Sequence, residues 1–365
     1  MKIALIGPGY GHNIEPYLNS LNNSNHEVDF YFHNKSIFEL KYKNIQYFKL
    51  PLTFIKLFFL VRKYDVIWLM GGGRLLYLVS FLSFFKKGKC KLVIFPYSEV
   101  LPRRTTEESF SGKITLLALS RFTLIHCGWF GIADLLHPKL KKKAVVHPMG
   151  LNRFYYKSTD NPDPDIVRLL EKVDKESYNF YYPKSFTRAS RHDLVIEAVN
   201  ELIKEEDFPD FKVYFIGGNA EDIERYNELI YKIGSYKLEN KIIVLKKEKF
   251  FKTEDINLLW SRMDCGLQIA EHDGISTTIF EPLINKKELI ISDIPPYKYL
   301  KSYFGFELEL TPLNTNSIKN AMKSKVNGVN LINSLEKEKI HNIIKEKYSF
   351  ETNINKLLLR FEKTN

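Results

Sequence analysis

The sequence predicts an α/β protein made of two successive doubly wound parallel sheets. Three observations carry this. Short apolar runs of strand length alternate with segments of helical apolar spacing over residues 2–147, and the same alternation restarts at Tyr178. A polar stretch rich in Pro, Asp and Asn separates the two series. Glycine-rich or polar loops stand at the carboxyl ends of several runs, where ligands gather in sheets of this kind. At 365 residues, 44% hydrophobic and 27% charged, the chain has the size for two cores and the composition of a soluble globular protein.

In the first half, residues 2–6 read as a strand, followed by Gly7-Pro8-Gly9-Tyr10-Gly11-His12-Asn13 and a helix to about Leu21. His12 stands where the third glycine of a dinucleotide fingerprint would be. The next strand, 28–32, ends in His33 and Asn34 with no ribose-binding acid, which disfavours a nicotinamide enzyme. Then come strand 65–70, the loop Gly71-Gly72-Gly73-Arg74, an apolar helix to Phe85, strand 91–95 and the loop Pro96-Tyr97-Ser98-Glu99. A helix over 107–119, strand 122–125, helix 128–136 and strand 144–147 complete the series. Gly72, Arg74, Tyr97, Glu99 and His126 fall at strand ends, and each also suits a turn or packing role.

Residues 158–165 read as part of a linker. In the second half, strands are expected at 178–182, 211–216, 241–245, 265–269 and 288–292, with helices near 191–204, 220–233 and 255–262. The most informative stretch is 264–283. Its run 265–270 reads as a buried strand and 276–283 as a helix, with the turn Glu271-His272-Asp273-Gly274-Ile275 between them. This turn leads into Ser276 and Thr277, so backbone N–H groups at a helix start face the carboxyl end of a strand, a setting that welcomes an anion. Asp273 and Glu281 can both point towards one ligand. The same pattern equally suits a strand–turn–helix in which Asp273 caps and Glu281 is solvated. The tail, 335–363, reads as two amphipathic helices.

Charge is unevenly placed. Residues 1–150 hold 21 Lys plus Arg against 9 Asp plus Glu, a net +12, and the remainder holds 33 against 34. A basic half attracts phosphate on lipid, on nucleic acid or on a lipid-pyrophosphate acceptor. Nucleic acid is disfavoured as a specific partner, because no zinc, helix-turn-helix or aromatic RNA-binding motif is recognised. Residues 50–63 and 75–91 mix apolar and basic residues, which suits either core helices or an anionic membrane surface reached through Lys56, Arg62, Lys63, Lys86, Lys87 and Lys89. No signal peptide is recognised at the start, and the most apolar stretch, 75–85, is too short to span a bilayer. Cys90, Cys127 and Cys265 lie far apart without metal-ligand spacing and are expected as reduced core residues.

The acidic pair Asp273 and Glu281, seven residues between them, resembles the acidic-x7-acidic motif of retaining GT-B glycosyltransferases, family 4 in particular. Carried over by position, the resemblance implies that Asp273 contacts the donor sugar and Glu281 the nucleotide ribose, with Gly274, Ile275 and Ser276 offering N–H groups to the diphosphate. Pro183 to Asp193 resembles the family segment in which an Arg and a Lys bind that diphosphate. This implies Lys184 and Arg191, in reversed order, with Arg188 as an alternative. Gly9 and Gly11 inherit a first loop lying over the diphosphate, and His147 to Asn152 resembles the segment that ends the first domain. The implied architecture is a GT-B pair of Rossmann-like domains facing a cleft: 1–155 on the acceptor side, linker 156–177, donor domain 178–340, and 341–365 crossing back to the first domain. The implied donor is a UDP- or GDP-type sugar, with no cofactor and no metal. Asp163-Pro164-Asp165 matches the Asp-x-Asp metal signature of the other glycosyltransferase fold, but it lies in a polar segment with two prolines and is not assigned. The implied acceptor is a glycan or lipid-linked, and the implied location is cytoplasmic, peripheral to the inner face of the cell membrane. An inverting transferase, a sugar-nucleotide epimerase and a binding protein without catalysis are the alternatives.

Overall fold

The computed structural model describes residues 1–7, 15–22, 24–32, 45–47, 62–85, 90–96, 99–148, 150–157, 159–218, 223–247, 251–329 and 331–364. The chain divides into two compact units, Met1–Gly150 with Phe350–Asn365, and Leu151–Ser349.

The first unit runs β1 (Lys2–Gly7), α1 (Glu15–Asn22), β2 (Glu27–Phe32), β3 (Ile45–Tyr47), β4 (Val66–Met70), α2 (Arg74–Leu82), β5 (Lys91–Phe95), α3 (Val100–Arg104), α4 (Phe110–Ser120), β6 (Leu124–Cys127), α5 (Phe130–Asp134), α6 (Pro138–Lys141) and β7 (Ala144–Val146). Among the described residues its strands form one parallel sheet in the order β3-β2-β1-β4-β5-β6-β7. β4 is buried from end to end, as a parallel strand covered on both faces must be, which is why it reads as an unbroken apolar run. The helix expected over 107–119 is α4, which begins at Phe110 because Ser109 caps it by accepting from the Gly112 N–H at 3.1 Å; the short α3 before it was not expected.

The second unit repeats the plan with α7 (Pro164–Lys172), β8 (Tyr178–Tyr182), α8 (His192–Leu202), β9 (Phe211–Gly218), α9 (Ile223–Ser235), β10 (Ile242–Lys247), α10 (Thr253–Trp260), β11 (Cys265–Gln268), α11 (Thr277–Ile284), β12 (Glu288–Ser292), α12 (Pro295–Phe304), β13 (Leu310–Thr311), α13 (Thr315–Val326) and α14 (Ser334–Lys347). Its parallel sheet has the order β10-β9-β8-β11-β12-β13. Strand alternation divides the core. Phe180 and Tyr182 pack with Val195, Val199 and Phe215, whereas Tyr181 faces Tyr214 and Trp260 on the other side.

Two boundaries differ from the expectation. The segment 156–177 is not a linker: Asp163 caps α7 by accepting from the Asp165 N–H at 2.9 Å, and Ile166 and Leu169 are buried against Tyr181 and Trp260. An Asp cap followed by Pro is a helix start, and here the turn-forming residues around it concealed that signal. Residues 151–155, expected in the first domain, belong to the second unit. Leu151 donates its N–H to the Tyr348 carbonyl at 2.7 Å, and the Asn257 amide holds the carbonyls of Phe154, Tyr155 and Lys157. Cys90, Cys127 and Cys265 are buried, as expected of core residues.

The two tail helices are assigned to different units. α14 buries Ile340 and Ile344 in the second, and α15 (Phe350–Lys363) completes the core of the first with Phe350, Ile354, Leu357, Leu358 and Phe361. The Phe361 ring meets Trp68 edge-on at 5.3 Å and Phe350 meets Tyr17 at 4.7 Å. Lys91 Nζ donates to the Phe361 carbonyl at 2.6 Å, a cation placed at the negative end of the helix. Phe361→Ala leaves a cavity beside Trp68 and is expected to destabilise the first unit by about 3–5 kcal/mol. Urea unfolding followed by Trp68 fluorescence checks this, with a loss below about 1 kcal/mol counting against the packing role.

Candidate functional site

In the second unit the strand order reverses between β8 and β11, which lie side by side although two strands separate them in sequence. Such a switch point opens a crevice at the carboxyl ends of the strands. Lys184 follows β8 and Asp273 follows β11, so both candidate residues emerge at this point.

Their side chains meet. Lys184 Nζ lies 2.6 Å from Asp273 Oδ2, and both are mostly buried. The same oxygen accepts from Gln268 Nε2 at 2.6 Å, from the Tyr297 hydroxyl at 2.9 Å and from Ser276 Oγ at 3.1 Å. Asp273 Oδ1 takes the Gly274 N–H at 2.8 Å. The carboxylate is thus fixed by the ends of β8, β11, α11 and α12, and the Gly274 N–H offered to a diphosphate by the sequence reading is engaged. Ser276 is the N-cap residue of α11, but its side chain does not cap. It turns to Asp273 and Thr278 Oγ1, the latter at 2.7 Å. The N–H groups that open α11, including that of Thr277, therefore do not receive the N-cap side chain usual at a helix start.

Glu281 lies one turn further along α11, 6% exposed, and burial pushes its carboxyl up to about 7, against the pull of the Lys184 charge. It is not a solvated helix residue. Close packing beneath it holds α11 to β11: a Cβ on Gly266 would stand 3.0 Å from Pro282 and 3.1 Å from Trp260. Gly217, at the end of β9, has a similar duty, since a Cβ there would stand 2.8 Å from the Lys184 carbonyl and 2.6 Å from the Phe186 ring.

Arg191 precedes α8 in the left-handed region, φ 37° and ψ 37°, which costs a non-glycine residue about 1 kcal/mol. Its guanidinium pairs with Asp193 at 3.2 Å and approaches Glu271 at 3.9 Å. The Glu271 N–H donates to the Ala189 carbonyl at 2.9 Å, and the Tyr182 hydroxyl donates to the carbonyls of Ser190 and Ile269, so the Arg191 and Asp273 loops are cross-linked. Arg188 points away to Glu228 at 3.1 Å on an exposed surface.

In the first unit Gly72 and Arg74 are exposed after β4, which sits beside β1 at that sheet's own switch point, and Glu99 pairs with Arg103 at 2.6 Å. His126 must be corrected. It is buried, stacked on Phe95 at 4.4 Å, and its Nε2 bonds the His147 carbonyl at 2.8 Å; burial pushes it down to about 3, so it is a neutral core residue. A strand covered on both faces sends its last side chains inward. Gly9, Gly11 and Tyr97 lie outside the described residues. Among the described residues no group of His, Cys, Asp and Glu is arranged to hold a metal ion, and no helix is long and apolar enough to cross a membrane.

Sequence reasoning missed Gln268 and Tyr297, which orient Asp273, and Arg225, which holds Asp193 at 2.5 Å behind Arg191. Gln268 could have been found: an amide inside the apolar run 265–270 must have a buried partner.

No protein-family profile and no curated protein sequence matches the chain. Solved structures do match. The Anabaena protein HepE (Alr3699), in complex with UDP, superposes with a TM-score of 0.80 at 13% identity over 99% of this chain and 100% of that one. A glycosyltransferase from Rickettsia africae ESF-5 gives 0.69 at 16% identity over 100% and 98%, and sucrose-phosphate synthase from Thermosynechococcus elongatus gives 0.70 at 12% over 100% of both chains. The protein has the two-domain α/β fold of these structures, the GT-B fold.

Glu281 provides a direct physical test. A carboxyl raised to about 7 stabilises the fold fully below its ordinary value of 4.5, and that contribution is lost as pH rises through 7. Glu281→Gln is therefore expected to be more stable than wild type at pH 8, by about 3 kcal/mol at most, with the advantage gone at pH 4. Urea midpoints of both proteins across this range decide it, and parallel profiles would show that Glu281 does not titrate as a buried group.

Proposed function

We propose that the protein is a retaining glycosyltransferase that moves a sugar from a nucleoside-diphosphate sugar to a lipid-linked or surface-polysaccharide acceptor without a metal ion. The observation that carries this reading is the convergence of Lys184, Asp273 and Glu281 at the β8/β11 switch point. HepE was solved with UDP and with UDP-glucose, which favours a UDP sugar over a GDP sugar as the donor.

In this reading Lys184, Arg191 and the N–H groups that open α11 hold the diphosphate. An ammonium has three donors, so Lys184 keeps Asp273 and still reaches an anion. Ile275 and Ser276 offer backbone N–H groups, and Asp273 contacts a donor-sugar hydroxyl. Glu281 accepts from the ribose, and a ribose hydroxyl replaces part of the hydration this carboxylate lost on burial. When the bond from the anomeric carbon to the diphosphate breaks, its electron pair goes to the phosphate oxygen, and the fixed cations stabilise that charge. The acceptor hydroxyl bonds to the anomeric carbon from the same face, and its proton passes to the departing phosphate, so no dedicated protein base is needed. The first unit supplies the acceptor side, with Gly72, Arg74 and Glu99 at its strand ends, and its basic charge draws the enzyme to the inner face of the cell membrane.

Melting-temperature shifts with nucleoside diphosphates and their sugars identify the donor, because a ligand of the native state raises the transition. Glu281→Gln is expected to weaken donor binding by about 1.5–3 kcal/mol while remaining folded; an unchanged dissociation constant would remove the ribose assignment.

Transfer is expected to proceed undiminished in EDTA and to slow by about a hundredfold or more in Lys184→Met, since that cation acts on the leaving group. Inhibition by EDTA that Mn2+ reverses would overturn the metal-free mechanism. Retention is read from the anomeric proton of the product by NMR.

A further inference from the structure

On α4 of the first unit, Phe110, Ile114 and Leu117 recur at helical spacing and all face solvent, Phe110 being 81% and Leu117 60% exposed. The opposite side of the helix already packs inward through Gly112, Thr115, Ala118 and Leu119. A helix apolar on both sides is expected to be covered on both sides. The outward stripe continues into Arg121, whose guanidinium lies 4.2 Å from the centre of the Phe84 ring. Phe84, 62% exposed, is 6.3 Å from Phe81, and Phe81 is 5.6 Å from Phe85. α2 and α4 are joined by the Tyr77 and Thr115 hydroxyls, 3.0 Å apart. The stripe and the phenylalanine cluster therefore form one continuous face, far richer in exposed aromatic carbon than scattered surface residues require.

From this we infer that α4, α2 and the turn Ser83–Phe85 form a face that inserts shallowly into an anionic lipid bilayer. Charge selects this occupant. Arg121 and the exposed Lys113 border the apolar stripe, Lys86 and Lys87 directly follow Phe85 in sequence, and residues 1–150 carry a net +12. The acids Glu107 and Glu108 precede α4, at the end of the stripe remote from Arg121. A second copy would oppose the same basic border to itself, which disfavours self-pairing. Apolar side chains with a basic border are the composition of an interfacial membrane face.

The inference deepens the acceptor side of the proposed function, since a lipid-linked acceptor resides in such a surface. It also alters the nature of the attachment. Charge alone weakens as salt screens it, whereas buried apolar side chains hold at high salt.

The test is flotation of the full chain with phosphatidylcholine vesicles, with and without phosphatidylglycerol, at low and high salt. It is read without sugar transfer, so it and the catalytic reading fail separately. Wild type is expected to float with the anionic vesicles and to retain part of its binding at high salt. Phe84→Ser/Phe110→Ser/Leu117→Ser, with an unchanged melting temperature, is expected to lose binding about tenfold or more at both salts. Lys86→Gln/Lys87→Gln/Lys113→Gln/Arg121→Gln should lose only the low-salt excess. If wild type fails to float, or the serine variant floats like wild type, the inference is overturned. A wild-type dimer in sedimentation that the serine variant converts to monomer overturns it too, and assigns the face to a second copy of the chain.

Discussion

The geometry of the candidate site in the second unit depends on one carboxylate. Asp273 draws Lys184, Gln268, Tyr297 and Ser276 onto a single oxygen, and these residues arrive from four different elements of the second unit. A mostly buried carboxylate is costly unless its lone pairs are filled, and here neighbouring loops fill them. The loop after β8 and the turn after β11 are consequently parts of one rigid frame. A ligand reaching Asp273 would meet an acceptor with a set direction and would have to fit among donors already in place.

Glu281 shows how environment separates two groups of the same chemistry. Asp273 is surrounded by donors, whereas Glu281 is buried, and burial outweighs the Trp260 indole and the Lys184 charge that favour its ionised form. The ammonium of Lys184 acts on both. Lys184 in turn depends on a glycine: β9 can end against the Lys184 carbonyl only because Gly217 has no side chain. Several kilocalories of polar organisation thus rest on close backbone approaches that no polar residue makes.

Most of the fold was legible because buried parallel strands are written as unbroken apolar runs, and 288–292 was placed to the residue. The helix α7 was not, because Asp163 and Pro164 serve a turn and a helix start alike, and only burial of Ile166 and Leu169 decides between them. Within the site, charged residues at strand ends were visible. Their supports were not, since Tyr297 and Arg225 come from helices distant in sequence, and side-chain geometry is set by packing that a linear reading does not contain. His126 shows the opposite limit: a strand-end histidine looks chemical in sequence, and the neutral ring against Phe95 is structural.

The place of α15 bears on how the protein is made. The second unit is one continuous segment of chain, whereas the first needs both the amino-terminal residues and the final helix, with Phe350 to Phe361 lying against Trp68 and Tyr17. During translation, which proceeds at about 5–20 residues per second, the amino-terminal sheet emerges early but is still missing one wall of its core. The second unit has all its residues before that wall leaves the ribosome. The half synthesised first is therefore the half finished last, and in the interval it exposes apolar surface that a chaperone or a premature partner would find.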